Sequence, residues 1–455
     1  MHQTLDRLRA DAVAIYAAAV AGVEPRRAVT RAFAGTPPPN PARIIALGKA
    51  AYPMAAAAVQ HFDRLEVPIQ GGLVVTPDVG DSPDPRLQRV TGDHPVPGAR
   101  SRAAAAALGE ALARVTHHDD VWVLISGGTS SLVGAPVEGM SEVEYDLLMR
   151  ALARAGLPIH ALNRARKRFS RWGAGRLAAA CGGDRIRLFL LSDVPGDDPA
   201  DIGSGPCAPD SASAAEILAL LASLGGDVGV PEAAMRYLER TVRGVVPETP
   251  KPGDSIFDRV TTRIVGSNAV ALDHAEERAR ALGYQVRRHP TPVTGEAAAV
   301  GGELIRSVLG DDPQPGTAWI GGGETTVSLG AHHGQGGRCQ ELALAAAAGL
   351  ARHADRYRAT VLAGGTDGRD GPTDAAGAVV DSRTWDAIRH AGIDPERALA
   401  RHDAHPALAA AGALLRPGLT GTNVMDIIVV LVGDRPSLRA AGDQPEAGSP
   451  HQAGS

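Results

Sequence analysis

The sequence predicts an α/β protein of two Rossmann-like α/β/α sandwich domains, with mainly parallel sheets and a ligand-binding cleft between the domains. Short apolar runs that end in Gly- or Ser-rich loops, each followed by a helix, occur many times along the chain, as in parallel α/β folds. A chain of 455 residues is longer than one core usually allows, which indicates two domains. Aromatic residues make up only 3%, while alanine and glycine are abundant, and this composition suits close packing of helices on sheets.

Four apolar runs predict buried strands in the first half of the chain. These strands are predicted at Arg43–Leu47, Gly72–Thr76, Val121–Ile125 and Ile186–Leu191. Helices are predicted over residues 1–22, from near residue 54, over 101–115 and over about 212–224. The first of these has the character of an amphipathic helix rather than of a signal peptide.

The second half of the chain repeats the same pattern. Its strands are predicted at Arg263–Val265, Thr317–Ile320, Thr360–Ala363 and Ile427–Val432. A segment rich in proline and glycine lies between the two halves. We therefore predict a first domain at residues 1–240, a linker at 241–262 and a second domain at 263–434. Residues 435–455, which are rich in Ala, Gly, Pro and Ser, are predicted to be a disordered tail.

The composition argues against several classes of partner. A formal net charge of −5 disfavours nucleic acid or an acidic membrane surface as the main partner. No apolar stretch approaches the roughly 20 residues that span a bilayer. The three cysteines (Cys181, Cys207 and Cys339) lack the spacing of metal ligands and suit a reducing compartment. We expect a cytoplasmic protein that binds a small molecule, with no nucleic-acid or membrane partner.

Four carboxylates follow the fourth predicted strand within a few residues. They are Asp193, Asp197, Asp198 and Asp201. Asp193 stands at the strand end, and ligands of open α/β sheets bind outside the carboxyl ends of the strands. An aspartate there can bind Mg²⁺ or accept a proton from a hydroxyl group. The other three carboxylates are equally well explained as turn and cap residues.

Two loops of small residues and one helix start are candidates for binding phosphate. The loops are Ser126–Ser131 and Gly321–Thr326, whose N–H groups and hydroxyls could surround an anion. The helix that opens after Gly337 offers free N–H groups and the side chain of Arg338. An ordinary helix start with a surface arginine is an equally good interpretation. Glu324 and Asp367 follow strand ends and are candidate Mg²⁺ ligands, although polar residues are common in such loops.

Basic residues near the predicted cleft could neutralise an anionic ligand. Lys49 follows the first strand, and a cluster of basic residues occupies positions 164–176. A surface lysine and a solvated helix face are the alternatives. No G-x-x-x-x-G-K-[ST], G-x-S-x-G or H-E-x-x-H motif is present. Residues 203–208 match G-x-G-x-x-A, but they do not directly follow a strand, so we discount a dinucleotide fingerprint.

Several long motifs resemble those of the glycerate 2-kinase family, or type II glycerate kinases, which join an N-terminal DUF4147 domain to a C-terminal MOFRL domain. The matching stretches are ALGKAA (46–51), GDHPVPG (92–98), SGGTSSLVGAP (126–136), Asn163 with Arg166-Lys167 and Ser170, LSDVPGDDPADIGSGP (191–206), GSN (266–268), TGEA (294–297), GGGETTV (321–327), GGRCQELAL (336–344), GTDGRDGPTDAAGAVVD (365–381) and GTNVMD (421–426). They occur in the family's order and extend over roughly residues 40 to 430.

The resemblance implies an enzyme that uses ATP and Mg²⁺ to phosphorylate D-glycerate at its 2-hydroxyl group, in a cleft between the domains. Lys49, Asp193 and Arg338 would fall on the family's catalytic positions. The expected nucleotide- and phosphate-binding residues are Ser126, Gly127, Gly128, Thr129, Ser130, Gly322, Gly323, Glu324, Thr325 and Gly337. The expected substrate-binding residues are Arg166, Lys167, Asn268, Asp367 and Asn423. Glu324 and Asp367 would bind the metal, and a homodimer is expected.

Small departures from the family pattern concern the substrate more than the reaction. Cys339 stands where asparagine is typical, Ala174 interrupts a Gly-rich run, and Thr129-Ser130 replaces a more common Gly-Ser. Some relatives carry the name hydroxypyruvate reductase, so an NAD(P)H-dependent reductase is one alternative. A kinase of a related small sugar acid and a non-catalytic sensor of such an acid are the others.

Overall fold

The computed structural model of the protein describes residues 4–38, 41–330 and 332–434, and the predicted tail at 435–455 lies outside these residues. Within them the strands are β1 (Ala42–Leu47), β2 (Ile69–Thr76), β3 (Leu87–Thr91), β4 (Asp120–Ile125), β5 (Arg185–Leu191), β6 (Val260–Gly266), β7 (Gln285–Arg288), β8 (Thr317–Gly323), β9 (Ala359–Gly365), β10 (Gly377–Asp381), β11 (Leu414–Leu415) and β12 (Asp426–Val432).

Helices alternate with these strands along most of the chain. In chain order they are α1 (Leu5–Gly22), α2 (Pro25–Ala34), α3 (Ala51–Arg64), α4 (Ala99–Ala113), α5 (Thr129–Leu132), α6 (Glu142–Arg154), α7 (Ile159–Arg168), α8 (Arg176–Ala180), α9 (Ala214–Ser223), α10 (Glu232–Val242), α11 (Asn268–Ala281), α12 (Ala297–Gly310), α13 (Arg338–Arg352), α14 (Thr384–His390), α15 (Pro395–Ala400) and α16 (Ala404–Ala410).

The first sheet, sheet I, is parallel and has the strand order β3-β2-β1-β4-β5-β6. Alternate residues of its strands pack on opposite faces, as expected of a parallel sheet buried on both sides. Ile44 of β1 packs with α2 and α3, whereas its neighbour Ile45 packs with α4. The strand order reverses between β1 and β4, and such a switch point is where ligands bind in doubly wound folds.

The second sheet, sheet II, is mixed, with the order β11-β10-β9-β12-β8-β7. β7 and β8 are parallel, but β12 lies between β8 and β9 and is antiparallel to both, and β10 is antiparallel to β9. The α/β class and the two layered sheets are confirmed, whereas the prediction of mainly parallel strands is wrong for sheet II. The short segment 366–376 cannot hold the crossover that a parallel β9–β10 pair would need.

The two lobes exchange elements near the ends of the predicted domains. The strand predicted to open the second domain is β6, and it pairs with β5 at the edge of sheet I. In the opposite sense, α1 packs on α11, β9 and β12 of the second lobe, although it belongs to the predicted first domain. We call sheet I with α2–α10 lobe I, and sheet II with α1 and α11–α16 lobe II. One apolar core continues from lobe I to lobe II through α1, α2, α3 and α11.

Candidate active site

The loops that carry the predicted catalytic residues lie at facing edges of the two sheets. In sheet I, the carboxyl ends of β1, β4 and β5 are adjacent, because Leu47 pairs with Ile125 and Ile125 with Leu190. In sheet II, the first residue of β12, Asp426, pairs with the last residues of both β8 and β9, Gly323 and Gly365. The antiparallel direction of β12 thus brings its amino end to the carboxyl ends of its neighbours.

A cavity of about 240 Å³ joins the two lobes at these edges. From lobe I it is lined by Lys49, Ala50, Ser126, Gly127 and Leu191. From lobe II it is lined by Asp367, Arg369, Leu419, Gly421, Thr422 and Asn423. The cavity therefore combines residues that are far apart in the sequence, as an interlobe ligand site requires.

Asp193 stands at the end of β5, next to the loop after β4. A side chain at Gly127 would overlap the Asp193 carboxylate, so the close approach of the two loops requires glycine there. The backbone N–H of Lys49 donates to the carbonyl oxygen of Gly127 at 2.9 Å, which ties the first strand's loop to the same place. Burial raises the pKa of the Asp193 carboxyl above its usual value, while its own backbone N–H and the charge of Lys49 oppose that rise.

Lys49 has an exposed side chain at the mouth of this loop cluster. His94 stands beside it, since a Cβ atom on Gly128 would lie 3.1 Å from the His94 ring and 3.3 Å from Lys49 Cγ. Burial lowers the pKa of His94, and the Lys49 charge lowers it further. The predicted position of Lys49 at a strand end facing the cleft agrees with this geometry.

The hydroxyls of the Ser126–Ser131 loop have mostly internal partners. Ser126 Oγ accepts the N–H of Ala50 at 3.0 Å, and Thr129 Oγ1 donates to the carbonyl oxygens of Leu47 and Ser126 at 3.0 and 2.8 Å. Both side chains are buried, so they hold the loop against β1. Ser130, in contrast, is exposed and shares a hydrogen bond of 2.7 Å with Ser204. Of the three predicted hydroxyls, that of Ser130 is the one open to a ligand.

Arg338, the first residue of α13, lies between two carboxylates. Its Nε and Nη2 atoms donate to the two Asp426 oxygens at 2.6 and 2.9 Å, and its Nη1 atom forms an ion pair with Glu324 at 2.9 Å. Burial works against the charged guanidinium, but the Asp426 hydrogen bonds outweigh it and raise the pKa of Arg338. Arg338 is therefore a fixed cation.

The electrostatics of Glu324 link the two lobes. Burial raises the pKa of Glu324, and the charge of Arg338 opposes this. The negative charges of Asp426, Asp193 and Asp367 raise it further. Since Asp193 belongs to lobe I and Glu324 to lobe II, the charges of the two lobes interact here, although Asp193, Glu324 and Arg338 are not among the residues that line the interlobe cavity.

The start of α13 differs from the prediction of a free anion site. The N–H groups of Cys339 and Gln340 donate to the Asp370 carboxylate at 3.1 and 2.8 Å. Asp370 is buried against Gly337, where any side chain would overlap the carboxylate. The helix dipole and these N–H groups thus already hold an anion that belongs to the protein. Burial raises the pKa of Asp370 to about 6, although the N–H of Gln340 opposes the shift.

Asn268 and the glycines of β8 hold the amino end of β12 in place. The Asn268 side-chain amide donates to the carbonyl oxygens of Val424 and Asp426 at 2.9 and 3.0 Å, and its oxygen lies against Gly322. Gly323 has a φ of +150° and packs on the backbone of Val293, so it has no room for a side chain. These contacts fix the amino end of β12 on which Asp426 stands.

Thr325, Asp367 and Asn423 complete the predicted residues of lobe II. Thr325 is buried, whereas the side chains of Asp367 and Asn423 are partly exposed and line the cavity. The Asp367 carboxylate accepts the N–H of Arg369 at 3.0 Å, and the Asn423 side chain accepts the N–H of Met425 at 3.2 Å. Both residues thus turn the loops that carry them.

The basic cluster at 164–176 is mainly structural. Arg168 is buried and binds Asp210 at 3.0 Å, and Glu248 pairs with its second Nη atom. Lys167 is also buried, with its ammonium 3.6 Å from an Asp210 oxygen. Burial lowers the pKa of Arg166, and Tyr145 opposes this. Of the described residues, neither Arg166 nor Lys167 lines the interlobe cavity.

Neither a metal-binding group nor a membrane span stands out among the described residues. They contain no cluster of three or more His, Cys, Asp or Glu side chains that could hold a metal ion. None of their helices is long and apolar enough to cross a membrane. The three cysteines are free and buried.

Several residues of the cleft were not predicted from the sequence. Asp426 and Asp370 lie within quoted motifs, but only the folded chain brings them to Arg338 and to the start of α13. Arg369 and Leu419 line the cavity, and Leu419 is 76% exposed. The sequence signal for Arg369 is its place in GTDGRD, two residues after the predicted site residue Asp367.

Two family models match the chain. The model described as "Domain of unknown function (DUF4147)" matches residues 11–239, and the MOFRL family model matches residues 317–426. A crystal structure of glycerate kinase from Thermotoga maritima has a TM-score of 0.83 with this chain at 32% identity. It covers 94% of this chain and 100% of that one.

Curated relatives match over most of their length. The chain is 35% identical to D-glycerate 2-kinase of Thermotoga maritima, over 94% of this chain and 99% of that protein. It is 35% identical to glycerate 2-kinase of Pyrococcus horikoshii, over 86% and 87%. A protein of Agrobacterium vitis named putative hydroxypyruvate reductase is also 35% identical, over 92% and 93%. The chain belongs to the glycerate 2-kinase family of phosphotransferases.

Proposed function

We propose that the protein transfers the γ-phosphate of ATP to the 2-hydroxyl group of D-glycerate, giving 2-phosphoglycerate and ADP with the help of Mg²⁺. The observation that carries this proposal is the interlobe cavity, where Lys49 of lobe I faces Asp367 and Arg369 of lobe II. The glycerate 2-kinases of Thermotoga maritima and Pyrococcus horikoshii, which match most of this chain, support the choice of acid.

Asp193 is the group that accepts the proton of the attacking hydroxyl. Its carboxylate stands at a strand end beside the cavity, and a raised pKa makes it a stronger base than a solvated aspartate. The hydroxyl oxygen forms a bond to the γ-phosphorus, the bond to the ADP oxygen breaks, and the proton passes to Asp193. Phosphoryl transfer of this kind depends on positioning and charge more than on covalent chemistry.

Three cations neutralise the anionic reactants. Lys49 and Arg369 line the cavity, and both residues are exposed. We assign Lys49 to the phosphate and Arg369 to the glycerate carboxylate. Arg338 stabilises the transferring phosphoryl group, a role in which an arginine contributes roughly 10³–10⁵ in turnover in GTPases.

Glu324 and Asp367 are the residues that would hold Mg²⁺. Asp367 lines the cavity, the Glu324 side chain is 46% exposed and pairs with Arg338, and Mg²⁺ is usually bound by one or two carboxylates together with substrate phosphates. The ion would neutralise negative charge on the phosphates. The surplus of negative charge around Glu324, which includes Asp193 and Asp426, fits a site that receives a cation.

The remaining predicted residues have supporting roles in this proposal. Gly127, Gly128 and Ser130 would surround phosphate with backbone N–H groups and one hydroxyl, while Asn423 contacts the acid. Asn268 acts through the backbone of β12. The cytoplasmic location, the homodimer and ligand contacts by Arg166 and Lys167 remain predictions from the sequence.

A reductase that uses NAD(P)H is the second candidate, because sheet I has the strand order of dinucleotide-binding folds. The loop after β1 reads Gly48-Lys49-Ala50-Ala51, which lacks the second and third glycines that let a pyrophosphate approach. A lysine in that loop fits phosphate binding better than a dinucleotide turn.

A coupled assay distinguishes the two activities. We expect ADP release that requires ATP, Mg²⁺ and D-glycerate together, with ³¹P NMR placing the product phosphate on carbon 2. L-glycerate and glycolate test the choice of acid. Oxidation of NADH by hydroxypyruvate, without ADP formation from glycerate, would instead establish the reductase.

A further inference from the structure

The guanidinium of Arg338 meets two carboxylates that differ in how firmly they are held. The Asp426 carboxylate accepts two hydrogen bonds from the Nε and Nη2 atoms of this guanidinium, at 2.6 and 2.9 Å. Glu324 meets the remaining Nη1 atom through one ion pair at 2.9 Å. In this state two negative charges surround one positive charge, so a phosphate approaching Arg338 would meet a net negative environment.

Asp426 cannot leave Arg338 without a large change in the fold. Its side chain is 4% exposed, and its backbone is held between Gly323 and Gly365 in the sheet. The Asn268 amide also binds its carbonyl oxygen at 3.0 Å. A buried carboxylate that lost its arginine would remain unpaired, which is strongly unfavourable. The Nε–Nη2 edge of Arg338 is therefore permanently occupied.

Glu324, in contrast, is free to turn away. Its side chain is 46% exposed and follows the last residue of β8, outside the strand. A single ion pair between two partly exposed side chains contributes little free energy, so a bound anion can replace it.

We propose that Asp426 is a positioning residue for Arg338, and that Glu324 occupies the Nη1 position until an incoming phosphate displaces it. This inference rests on the proposed function only in naming the transferred phosphoryl group as the natural ligand. Asp426 holds the guanidinium plane in one orientation, so that Nη1 is directed at the position of the Glu324 carboxylate. Glu324, once displaced, would be free to hold a cation.

Removing the Glu324 charge tests the exchange without requiring catalysis. We expect Glu324→Gln to bind inorganic phosphate about 5-fold more tightly than wild type, by calorimetry in metal-free buffer with EDTA, because the competing charge is gone. In the Glu324→Gln/Arg338→Gln double variant the gain should disappear. Glu303→Gln, which removes an exposed carboxylate paired with Arg306, is the matched control and should bind phosphate as wild type does.

Each outcome of this binding experiment decides the Glu324 part of the inference. Equal or weaker phosphate binding by Glu324→Gln would overturn it, and so would a gain that persists without Arg338. If wild type failed to phosphorylate glycerate while the gain was present and depended on Arg338, the proposed function would fail and the exchange would stand.

The positioning role of Asp426 is tested by turnover. We expect Asp426→Asn to lower kcat about 100-fold with the KM for ATP within about 3-fold of wild type, because a misplaced guanidinium affects the transition state most. Asp426→Glu should recover part of kcat, which a merely structural role would not predict. Wild-type kcat in Asp426→Asn, or no recovery by a folded Asp426→Glu, would overturn the assignment. Circular dichroism checks folding. Should Asp426→Asn not fold, Asp426→Glu decides the positioning role by itself: a lowered kcat with the KM for ATP near that of wild type supports it, and an unchanged kcat overturns it.

Discussion

At the scale of single residues, the Asp193 carboxylate reaches the site because Gly127 has no side chain. A Cβ atom at Gly127 would overlap Oδ2 of Asp193, and its next nearest atom would be Asp193 Cγ at 2.8 Å. The Gly127 carbonyl also accepts the N–H of Lys49 at 2.9 Å. One glycine therefore sets the spacing between the proposed base and the proposed phosphate-binding lysine.

We predict that Gly127→Ala lowers kcat by about 10- to 100-fold while the protein stays folded. The overlap falls on the mobile end of the Asp193 side chain, so the carboxylate turns aside, and a shift of about 1 Å can cost 10²-fold in rate. Steady-state kinetics with glycerate measures the effect. Gly302→Ala, whose added Cβ meets nothing within 4 Å, is the control and should retain full activity. Unchanged kcat in Gly127→Ala would exclude Asp193 as the base.

Arg369 provides a prediction about substrate recognition. We predict that Arg369→Gln raises the KM for D-glycerate about 10- to 100-fold with little change in the KM for ATP, because a charged hydrogen bond to the carboxylate is lost. Initial rates with each substrate varied in turn measure the two constants. Arg306→Gln, on the outer surface of α12, is the control. A rise confined to the KM for ATP would assign Arg369 to the nucleotide.

At the scale of elements, the start of α13 is a helix terminus that the protein satisfies itself. Asp370 receives the N–H groups of Cys339 and Gln340, and Gln340 donates its side-chain amide back to the Asp370 carbonyl at 3.2 Å. The cap thus joins the loop after β9 to the helix that carries Arg338. Its carboxylate is buried near that of Asp426, which is why ionisation of Asp370 is difficult.

This raised pKa predicts a pH dependence of stability with a definite sign. Asp370 titrates at about 6 in the folded protein and near its ordinary value when unfolded, so its contribution is largest below pH 4 and is lost as pH rises through 6. Relative to Asp370→Asn, wild type should gain roughly 2.5 kcal/mol in unfolding free energy between pH 7 and pH 4. Urea unfolding at several pH values measures this difference.

Asp374→Asn is the control for the pH experiment, because the Arg416 hydrogen bond lowers the pKa of exposed Asp374. The stability that Asp374 contributes is present at neutral pH and is lost as pH falls, so the sign should be opposite. A difference between wild type and Asp370→Asn that stays constant from pH 4 to 7 would show that Asp370 titrates normally.

The elements also show what the sequence could and could not predict. Local patterns predicted the strands of the sheet centres and the loops of Lys49, Asp193 and Glu324, because apolar runs and small residues are local signals. The antiparallel insertion of β12 between β8 and β9 depends on long-range pairing, which no local pattern records. The sequence therefore did not predict Asp426 as a site residue, although Asp426 lies in the motif GTNVMD.

The burial and the partners of charged side chains were the features least predictable from the sequence. Arg168 and Lys167 looked like a surface or cleft cluster, yet both are buried on Asp210. A basic side chain in a sequence does not reveal where its acidic partner lies. The role of Asp370 was not predicted for the same reason. A capping residue that comes from another loop is not visible in the sequence around the helix that it caps.

At the scale of the whole molecule, the two lobes share one core. Helix α1 crosses from the N-terminus to lie on β9 and β12 of lobe II, and α2 then packs on α3 of lobe I. The Tyr16 hydroxyl on α1 donates to the carbonyl oxygen of Gly365 at 2.6 Å, and Thr422 donates to the carbonyl oxygen of Val23 at 2.9 Å. These contacts end next to Asp367, so the frame between the lobes also supports the cleft.

We predict that the protein unfolds in a single cooperative transition, and that Tyr16→Phe lowers its unfolding free energy by about 1–2 kcal/mol without splitting that transition. Tyr16 is 2% exposed, and burial raises the pKa of its hydroxyl, which therefore remains a donor at neutral pH. The variant loses one buried hydrogen bond and leaves the Gly365 carbonyl with one partner fewer. Scanning calorimetry and urea unfolding measure both effects.

Tyr52→Phe, at a partly exposed ring of lobe I, is the matched control and should change stability by less than about 0.5 kcal/mol. Two separate transitions in wild type, with Tyr16→Phe shifting only one of them, would show that the lobes fold independently and that α1 does not couple them.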